Sequence, residues 1–295
     1  MNLRELIKKG IETISVAFPE REAREMVLLY LEDVHGIRRL THILEPASEV
    51  SDDIVADSFS AFERMASGEP IQYIIGKAHF YGREFKVSPE VLIPRPETEV
   101  LCRKVIEILG DRNSNGSLIR ILDLCTGSGC IAWTLALEIP GAEVVAVDIS
   151  EGALEVASSQ DFSEEIARTG AIAPRFIKAD VLAGPIEDLG QFDIIVSNPP
   201  YVMDSEKSLM RPNVLDHEPH LALFVPDNDP LLFYRAVARW ASVLSVPGGY
   251  GFAEINEALG QQTAGVFCDA GFVDVEVVHD LNDKDRFVRF FRKFV

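Results

Sequence analysis

The chain has 295 residues, 47% of them hydrophobic and 25% charged, which is typical of a globular protein with one large domain or two smaller ones. Its 47 acidic residues outnumber its 28 lysines and arginines and give a formal net charge of -19. Because this charge repels phosphate backbones, nucleic acid is excluded as the main partner unless the basic residues are gathered on one surface. A cationic cofactor or a basic protein partner would suit the charge, although the acidic excess could equally serve only to keep the protein dissolved.

Neither the cysteines, the histidines nor the N-terminus indicates a secreted, metal-binding or membrane protein. No two cysteines form a C-x-x-C pair, and no histidine lies in an H-E-x-x-H pattern. The first residues lack the apolar run of a signal peptide, and no stretch of about 18 apolar residues is present. We therefore predict a cytoplasmic protein with reduced cysteines, no metal and no membrane span.

Residues 1–68 are predicted to form a helical domain. Apolar side chains recur at helical spacing near its start, at Leu3, Leu6, Ile7, Ile11 and Ile14. Pro19 separates this helix from a second one, and Ser51 with two following aspartates is typical of the N-terminus of a third. No residue here has obvious chemistry, so the domain serves either packing alone or the docking of a substrate, and docking is the functional hypothesis.

Residues 69–100 are predicted to be a β-hairpin linker. Three short β-prone runs lie in this segment, at 71–75, 80–81 and 85–87. Pro94 and Pro96 then prevent a central strand or a continuous helix. The next helix is therefore expected to begin near Thr98.

From residue 101 onward the sequence alternates between β-prone and helical segments. This alternation predicts a catalytic α/β domain at 101–295 with a mostly parallel, doubly wound sheet. The predicted strands are 119–124, 143–148, 175–180, 192–197, 249–255, 273–279 and 286–291. Only residues 280–285 separate the last two strands, too few for a helical crossover, so these two should pair antiparallel. A polar turn is predicted at 111–117.

A glycine-rich turn follows the first of these strands and precedes a helix. Its residues are Cys125, Thr126, Gly127, Ser128 and Gly129. Such a turn lets backbone N–H groups and a helix N-terminus approach a ligand closely. Asp148 ends the next strand, about twenty residues later, where a carboxylate would accept hydrogen bonds from two ribose hydroxyls.

Asp180 ends the third strand at the same edge of the sheet and could receive an adenine amine, with Val181 against the ring. The competing interpretation is structural: the glycines form a tight turn without a ligand, and Asp148 and Asp180 cap the segments that follow them. If a ligand does bind, the spacing fits a dinucleotide enzyme and a methyltransferase equally well.

The fourth strand runs directly into Asn198, Pro199, Pro200 and Tyr201, and this motif separates the two classes. The prolines stiffen the turn and remove two N–H donors, so the loop offers acceptors, namely the Asn198 side-chain oxygen and the Pro199 carbonyl. Two acceptors suit the two hydrogens of a planar NH₂ group, and Tyr201 offers an aromatic face for stacking. Such a group is a weak nucleophile that needs orientation, which favours methyl transfer from a sulfonium.

Several motifs along essentially the whole chain carry a resemblance to one family. They lie at 68–76, 93–99, 123–129, 198–201, 218–219 and 285–287. With these motifs the chain resembles the release factor glutamine methyltransferases, class I enzymes that methylate the glutamine of the Gly-Gly-Gln motif in peptide chain release factors. The Ile-Pro-Arg-Pro-Glu-Thr-Glu stretch at 93–99 is the more specific marker, because Asn-Pro-Pro-Tyr also occurs in enzymes that methylate the exocyclic amine of adenine.

The resemblance implies a seven-stranded methyltransferase sheet, S-adenosylmethionine as the cofactor and release factors as the partners. We also predict that the protein is a monomer. It implies that the glutamine amide is held by 198–201. It also implies that the cofactor is held by Cys125, Thr126, Gly127, Ser128, Gly129, Asp148, Asp180, Val181 and Asn198. The family usually has glycine where this chain has Cys125, so cofactor affinity is in question if that backbone needs a positive φ. The roles of Arg95 and Glu97 stay open between closing over the cofactor, guiding the substrate and bracing the linker.

Two alternatives remain at this point. A nucleic-acid adenine methyltransferase would share the Asn-Pro-Pro-Tyr chemistry, but it should carry a basic surface, which 28 basic against 47 acidic residues do not favour. A non-catalytic binding protein could keep the fold as a scaffold, but decay of the Asn-Pro-Pro-Tyr motif would then be expected, and the motif is intact.

Overall fold

The computed structural model describes residues 1–110, 118–280 and 283–294. The chain divides into two units, one of Met1–Lys77 with Met210–Glu218 and the other of Ala78–Leu209 with Pro219–Val295. The polar turn predicted at 111–117 lies outside the described residues. None of the helices in the described ranges is long and apolar enough to cross a membrane.

Helices and strands follow the chain in the order that the sequence pattern predicts for most of its length. The α-helices are α1 (Leu3–Ile14), α2 (Glu20–His35), α3 (Thr41–Leu44), α4 (Asp52–Ala66), α5 (Ile71–Ile75), α6 (Pro96–Gly110), α7 (Cys130–Glu138), α8 (Glu151–Ser158), α9 (Ser163–Thr169), α10 (Pro212–Leu215), α11 (Leu232–Leu244) and α12 (Gly260–Asp269). The strands are β1 (Lys77–Phe80), β2 (Arg83–Lys86), β3 (Arg120–Leu124), β4 (Glu143–Asp148), β5 (Arg175–Lys178), β6 (Phe192–Ser197), β7 (Val202–Met203), β8 (Phe224–Val225), β9 (Ser245–Glu254), β10 (Val273–His279) and β11 (Asp285–Phe291).

The first helical unit is organised around the amphipathic helix α1. Asn2 begins α1 with a capping box, in which its side chain accepts from the Glu5 N–H and the Glu5 side chain accepts from the Asn2 N–H. The predicted apolar face is confirmed, because all five of its predicted members are buried in the core of this unit. Gly10 lies on the same face, where an added Cβ would come within 2.6 Å of the Phe62 ring. Glycine therefore lets α1 and α4 pack closely.

The prediction that residues 71–75 form a β-run is wrong, because they form the single helical turn α5. Pro70 sits at its N-cap, and Gly76 ends it in the left-handed conformation with φ 75°. Ile71 and Tyr73 are the buried residues of this turn, two positions apart. Burial in the helical unit thus overrides the β-propensity of isoleucine and tyrosine.

The hairpin predicted after this turn is confirmed for β1 and β2, which form a two-stranded sheet. Tyr81 and Gly82 connect them with φ values of 50° and 74°. Two successive positive φ angles match the two-residue hairpin turn whose twist fits the flanking strands. The Tyr81 N–H donates to the Glu99 side chain at 2.9 Å, which ties the hairpin to α6.

The second unit is built on a seven-stranded sheet, as predicted. Its strand order is β10-β11-β9-β6-β3-β4-β5, and the last two strands of the chain pair antiparallel, also as predicted. β3, β4, β5, β6 and β9 run parallel. The chain first builds the sheet outward from β3 through β4 to β5, and then returns to place β6 on the other side of β3. In such sheets the crevice at this switch point, beyond the carboxyl ends of the strands, is the expected ligand site.

Both faces of the inner strands of the sheet are buried, because successive residues of these strands enter opposite cores. In β3, for example, Ile121 belongs to a core with α6 and α7, and Leu122 belongs to a core with α11 and α12. A parallel sheet covered by helices on both faces explains why its strands are nearly continuous apolar runs. The fold therefore leaves polar side chains mainly at the strand ends, where a site can form.

Candidate active site

A cavity of about 380 Å³ lies at the carboxyl ends of β3, β4 and β6. Nine of the twelve predicted site residues line it, and they are Cys125, Thr126, Gly127, Ser128, Asp148, Asp180, Val181, Asn198 and Pro200. The other three, Gly129, Pro199 and Tyr201, do not line it. The structure therefore brings together the glycine-rich turn, both strand-end aspartates and the start of the Asn-Pro-Pro-Tyr motif.

The glycine-rich turn is held open by backbone conformations that favour glycine. Gly127 has φ 53°, and an added Cβ at this position would meet only open space. Gly129 has φ 78°, and an added Cβ would lie 3.0 Å from the Cβ of Ala157. Gly127 thus gives the cavity a wall without a side chain, while Gly129 permits close packing of α7 against α8.

Cys125 adopts a left-handed conformation with φ 62°. The family usually has glycine at this position, and a positive φ is the conformation in which replacing that glycine by cysteine bears on cofactor affinity. A non-glycine residue in this region is under backbone strain. The side chain is half-buried and packs against the core that contains α11 and α12. Burial raises the pKa of the thiol well above its usual value, so the group beside the cavity is a neutral thiol.

Asp148 connects β4 to the glycine-rich turn. Its carboxylate accepts from the N–H of Gly127 at 2.8 Å and from the N–H of Ser150 at 3.0 Å. Ser150, and not Asp148, caps α8 by accepting from the Ala153 N–H. Burial raises the pKa of Asp148, while these backbone donors lower it. The structure thus does not support the competing interpretation of Asp148 as the cap of that helix.

Asp123 lies beneath the same turn and is fully buried at the end of β3. Its Oδ2 accepts from the Thr126 hydroxyl at 2.6 Å, and no partner is described for its Oδ1 among the placed residues. Burial, together with the negative charge of Asp148, raises the pKa of Asp123 to about 7. This carboxyl therefore supports the turn from below and changes charge near neutral pH.

Asp180 both lines the cavity and caps the short turn that follows it. Its Oδ1 accepts from the Leu182 N–H at 2.8 Å, as the structural interpretation of this residue expects. Val181 is buried, and its carbonyl accepts from the indole N–H of Trp240 at 2.9 Å. The hydrogen bond from Trp240 fixes the backbone that presents Asp180 and Val181 to the cavity.

The Asn-Pro-Pro-Tyr motif divides between the cavity and the protein interior. Asn198 is half-buried at the cavity, and its Nδ2 donates to the Thr98 hydroxyl at 3.4 Å. Tyr201 does not line the cavity, and its hydroxyl donates to Glu254 at 3.1 Å. Glu254 also accepts from the Thr98 hydroxyl at 2.7 Å. The sequence did not identify Thr98 or Glu254 as site residues. Two features could have indicated them: Thr98 lies in the family motif at 93–99, and Glu254 is an acidic residue at the end of a strand.

The residues around the cavity fit S-adenosylmethionine. The glycine-rich wall has no side chain at Gly127, so a nucleoside can come close to the protein backbone there, and a strand-end carboxylate suits a ribose diol. Two aspartates in the cavity lining also give the site acidic character that suits a cationic cofactor. A seven-stranded sheet of this order with this site defines the class I S-adenosylmethionine-dependent methyltransferases.

Comparisons with known proteins agree with this class. The family model of the methyltransferase small domain matches residues 106–216, and that of the PrmC N-terminal domain matches residues 5–76. The chain is 37% identical to the release factor glutamine methyltransferase of Flavobacterium psychrophilum over 280 residues, which cover 95% of each chain. It is 37% identical to the protein of the same name from Bacillus subtilis, over 96% of this chain and 95% of the other.

A solved structure of the hMettl16 catalytic domain in complex with the MAT2A 3'UTR hairpin 6 shares the fold, with a TM-score of 0.53, 12% identity and 83% of each chain covered. The chain belongs to the release factor glutamine methyltransferase family, as its motifs predicted. It is an S-adenosylmethionine-dependent protein-glutamine N-methyltransferase.

Asp148→Ala should weaken binding of S-adenosylmethionine by about 1–3 kcal/mol, the scale of a lost hydrogen bond to a charged group. The reason is that the carboxylate would no longer receive the ribose hydroxyls or hold the Gly127 N–H. Isothermal titration calorimetry measures the change. Glu151→Ala is the matched control, because it removes a neighbouring exposed carboxylate that lies outside the cavity lining. Equal affinities for Asp148→Ala and wild type would exclude Asp148 from the ribose site.

Proposed function

We propose that the chain transfers the methyl group of S-adenosylmethionine to the side-chain amide nitrogen of the glutamine in the Gly-Gly-Gln motif of peptide chain release factors. The observation that carries this proposal is the placement of Asn198 at the cavity. Its Nδ2 is engaged by Thr98, and within the described residues its Oδ1 receives no donor. An acceptor is therefore available beside the cofactor site for an incoming NH₂ group.

The chemistry needs orientation more than a strong base. The nitrogen lone pair of a carboxamide is delocalised into its carbonyl, so the amide must be held with that lone pair directed at the donor methyl. The bound cofactor supplies a methyl group on a cationic sulfur. Asn198 accepts one amide hydrogen. The Pro199 carbonyl stays the sequence-based proposal for the second acceptor, and Pro199 itself does not line the cavity. Because the Tyr201 ring packs against the core and its hydroxyl is bound by Glu254, we assign Tyr201 to bracing the loop. Stacking of Tyr201 on the substrate amide stays a prediction from the sequence.

We assign the cofactor to the cavity wall formed by Cys125, Thr126, Gly127, Ser128 and Gly129, with Asp148, Asp180, Val181 and Asn198 around it. Within this set Gly129 acts through helix packing, since it does not line the cavity. The neutral thiol of Cys125 adds no charge beside the sulfonium. Its strained backbone instead fixes the direction of the turn.

The direct test is incubation of the purified chain with isotopically labelled S-adenosylmethionine and a release factor, followed by peptide mass spectrometry. The expected product carries one methyl on the glutamine of the Gly-Gly-Gln motif. A release factor with that glutamine replaced by asparagine is the matched control and should stay unlabelled. An adenine-containing oligonucleotide tests the competing chemistry, and its methylation in place of the protein would overturn the proposal.

We also propose that the helical unit of Met1–Lys77 helps to dock the release factor and that the enzyme acts as a cytoplasmic monomer. No cofactor-type motif lies in this unit, so binding of the protein substrate is the function left to it. Hydrogen exchange in this segment should slow on addition of release factor and stay unchanged with cofactor alone. Helix α12 provides the internal reference. Equal protection of both regions would contradict a docking role.

A further inference from the structure

A chain of hydrogen bonds runs from the end of β9 to the cavity. It begins at Glu254, whose side chain is buried, with 1% of its surface exposed. The carboxylate accepts from the Thr98 hydroxyl at 2.7 Å and from the Tyr201 hydroxyl at 3.1 Å. Thr98, with 2% of its surface exposed, in turn accepts from Nδ2 of Asn198 at 3.4 Å. Three segments that are distant in sequence therefore meet behind one asparagine.

The direction of each bond in this chain follows from the chemistry of its members. A carboxylate has only acceptor sites, and a threonine hydroxyl has one hydrogen to donate. Since Thr98 gives that hydrogen to Glu254, it can only accept from Asn198. If the asparagine amide were rotated by half a turn, its oxygen would face the lone pairs of Thr98. The amide is consequently held with nitrogen toward Thr98 and oxygen toward the cavity.

Both carboxyl oxygens of Glu254 are used as acceptors, Oε2 by the Thr98 hydroxyl and Oε1 by the Tyr201 hydroxyl. Burial raises the pKa of Glu254, whereas the two hydroxyl donors and the positive charge of Arg286 lower it. Consecutive hydrogen bonds in a buried chain polarise and strengthen one another. The carboxylate therefore sets the direction of the whole chain from a position that solvent does not reach.

We propose that Glu254 and Thr98 are positioning residues that fix the amide of Asn198 with its oxygen toward the substrate. This inference rests on the proposed function, since it assigns Asn198 the task of accepting from the glutamine amide. It also gives the specific motif at 93–99 a role through Thr98, in addition to any role of Arg95 and Glu97. Neither positioning residue is required to touch the reacting atoms.

Thr98→Val and Thr98→Ser form a matched pair that tests the chain of hydrogen bonds. Valine keeps the shape of threonine and removes the hydroxyl, so kcat for methylation should fall roughly tenfold, the scale of one hydrogen bond. Serine keeps the hydroxyl and should restore most of the rate. The KM for S-adenosylmethionine should stay unchanged in both variants. Similar kcat values for the two variants would overturn the inference.

A second measurement needs no substrate and therefore separates failure of this inference from failure of the proposed function. In protein labelled with ¹⁵N-asparagine, the side-chain NH₂ signal of Asn198 is assigned by its loss in Asn198→Ala. Thr98→Val and Glu254→Gln should shift this signal, and Thr98→Ser should leave it near its original position. An unmoved signal in Thr98→Val would overturn the inference even if the wild-type chain methylates release factors. Thr98→Ala replaces Thr98→Val in both measurements if the valine variant does not fold.

Discussion

Asn198→Ala is expected to lower the rate of methyl transfer by roughly 10²-fold or more, the scale seen when one preorganised polar contact at a reacting centre is lost. Without the asparagine oxygen, the substrate amide would no longer be held with its lone pair toward the donor methyl. Cofactor affinity should remain largely intact, because the glycine-rich turn and Asp148 are unchanged. Single-turnover kinetics on a release factor, with calorimetry for S-adenosylmethionine, measure the two quantities separately.

Two further variants sharpen this prediction. Asn198→Asp keeps an acceptor and adds a negative charge beside a cationic sulfonium, so it should bind cofactor at least as tightly while positioning the amide less well. Asn228→Ala removes an exposed asparagine of the same unit and should behave as wild type. Rates near wild type for Asn198→Ala would mean that the amide is held by other groups.

Asp123→Asn is expected to change how the stability of the larger unit depends on pH. The pKa of Asp123 is about 7 in the folded protein and 3.8 as an ordinary aspartate, so between these values the folded state holds an extra proton. The contribution of Asp123 to the free energy of unfolding must therefore fall as pH rises through this range, by an amount on the order of 4 kcal/mol in all. Asparagine does not titrate. The free energy of unfolding of Asp123→Asn, relative to that of the wild type, should therefore increase by about 2–3 kcal/mol between mildly acidic and mildly alkaline buffer.

Urea unfolding followed by tryptophan fluorescence measures this effect in the right part of the molecule. Both tryptophans, Trp133 and Trp240, lie in the unit that contains the sheet. Asp161→Asn is the matched control, because Asp161 is exposed and its pKa is lowered by its hydrogen bonds to Ser163, so it does not titrate in this range. A parallel pH dependence for Asp123→Asn and wild type would show that Asp123 stays ionised on folding.

Much of the fold follows from sequence periodicity, because the buried sheet imposes strong local patterns. Near-continuous apolar runs identify the strands of a sheet covered on both faces, and the short spacing before β11 identifies the antiparallel pair. The failure at Ile71–Ile75 has the opposite cause. A five-residue segment is too short to show a period. Its conformation depends on the core into which Ile71 inserts, and local propensity carries no information on that core.

The candidate site likewise has a part that could be predicted from the sequence and a part that could not. Glycine turns and acids at strand ends are recognisable because the topology of the sheet brings the ends of parallel strands together. Their roles in binding stay predictions. The hydrogen bonds that join Thr98, Glu254 and Asn198 depend instead on side-chain direction across three segments. Sequence spacing carries no information on such directions, and it likewise does not reveal that the Tyr201 hydroxyl binds Glu254.

The fixed direction of the Asn198 amide has a consequence for substrate damage. Glutamine side chains hydrolyse slowly to glutamate, which replaces an NH₂ donor by an oxygen that carries negative charge at neutral pH. The side-chain oxygen of Asn198, held toward the cavity by Thr98 and Glu254, would face the negatively charged oxygen of glutamate, and two acceptors repel each other. The Asn198 amide cannot turn to offer its NH₂ group instead, because that group is held by Thr98. A site of this polarity discriminates strongly, since the wrong partner leaves a buried acceptor unpaired. A deamidated glutamine has no amide nitrogen left to methylate, so this polarity acts on binding: a deamidated release factor should be rejected by the site and should not compete with intact chains for it.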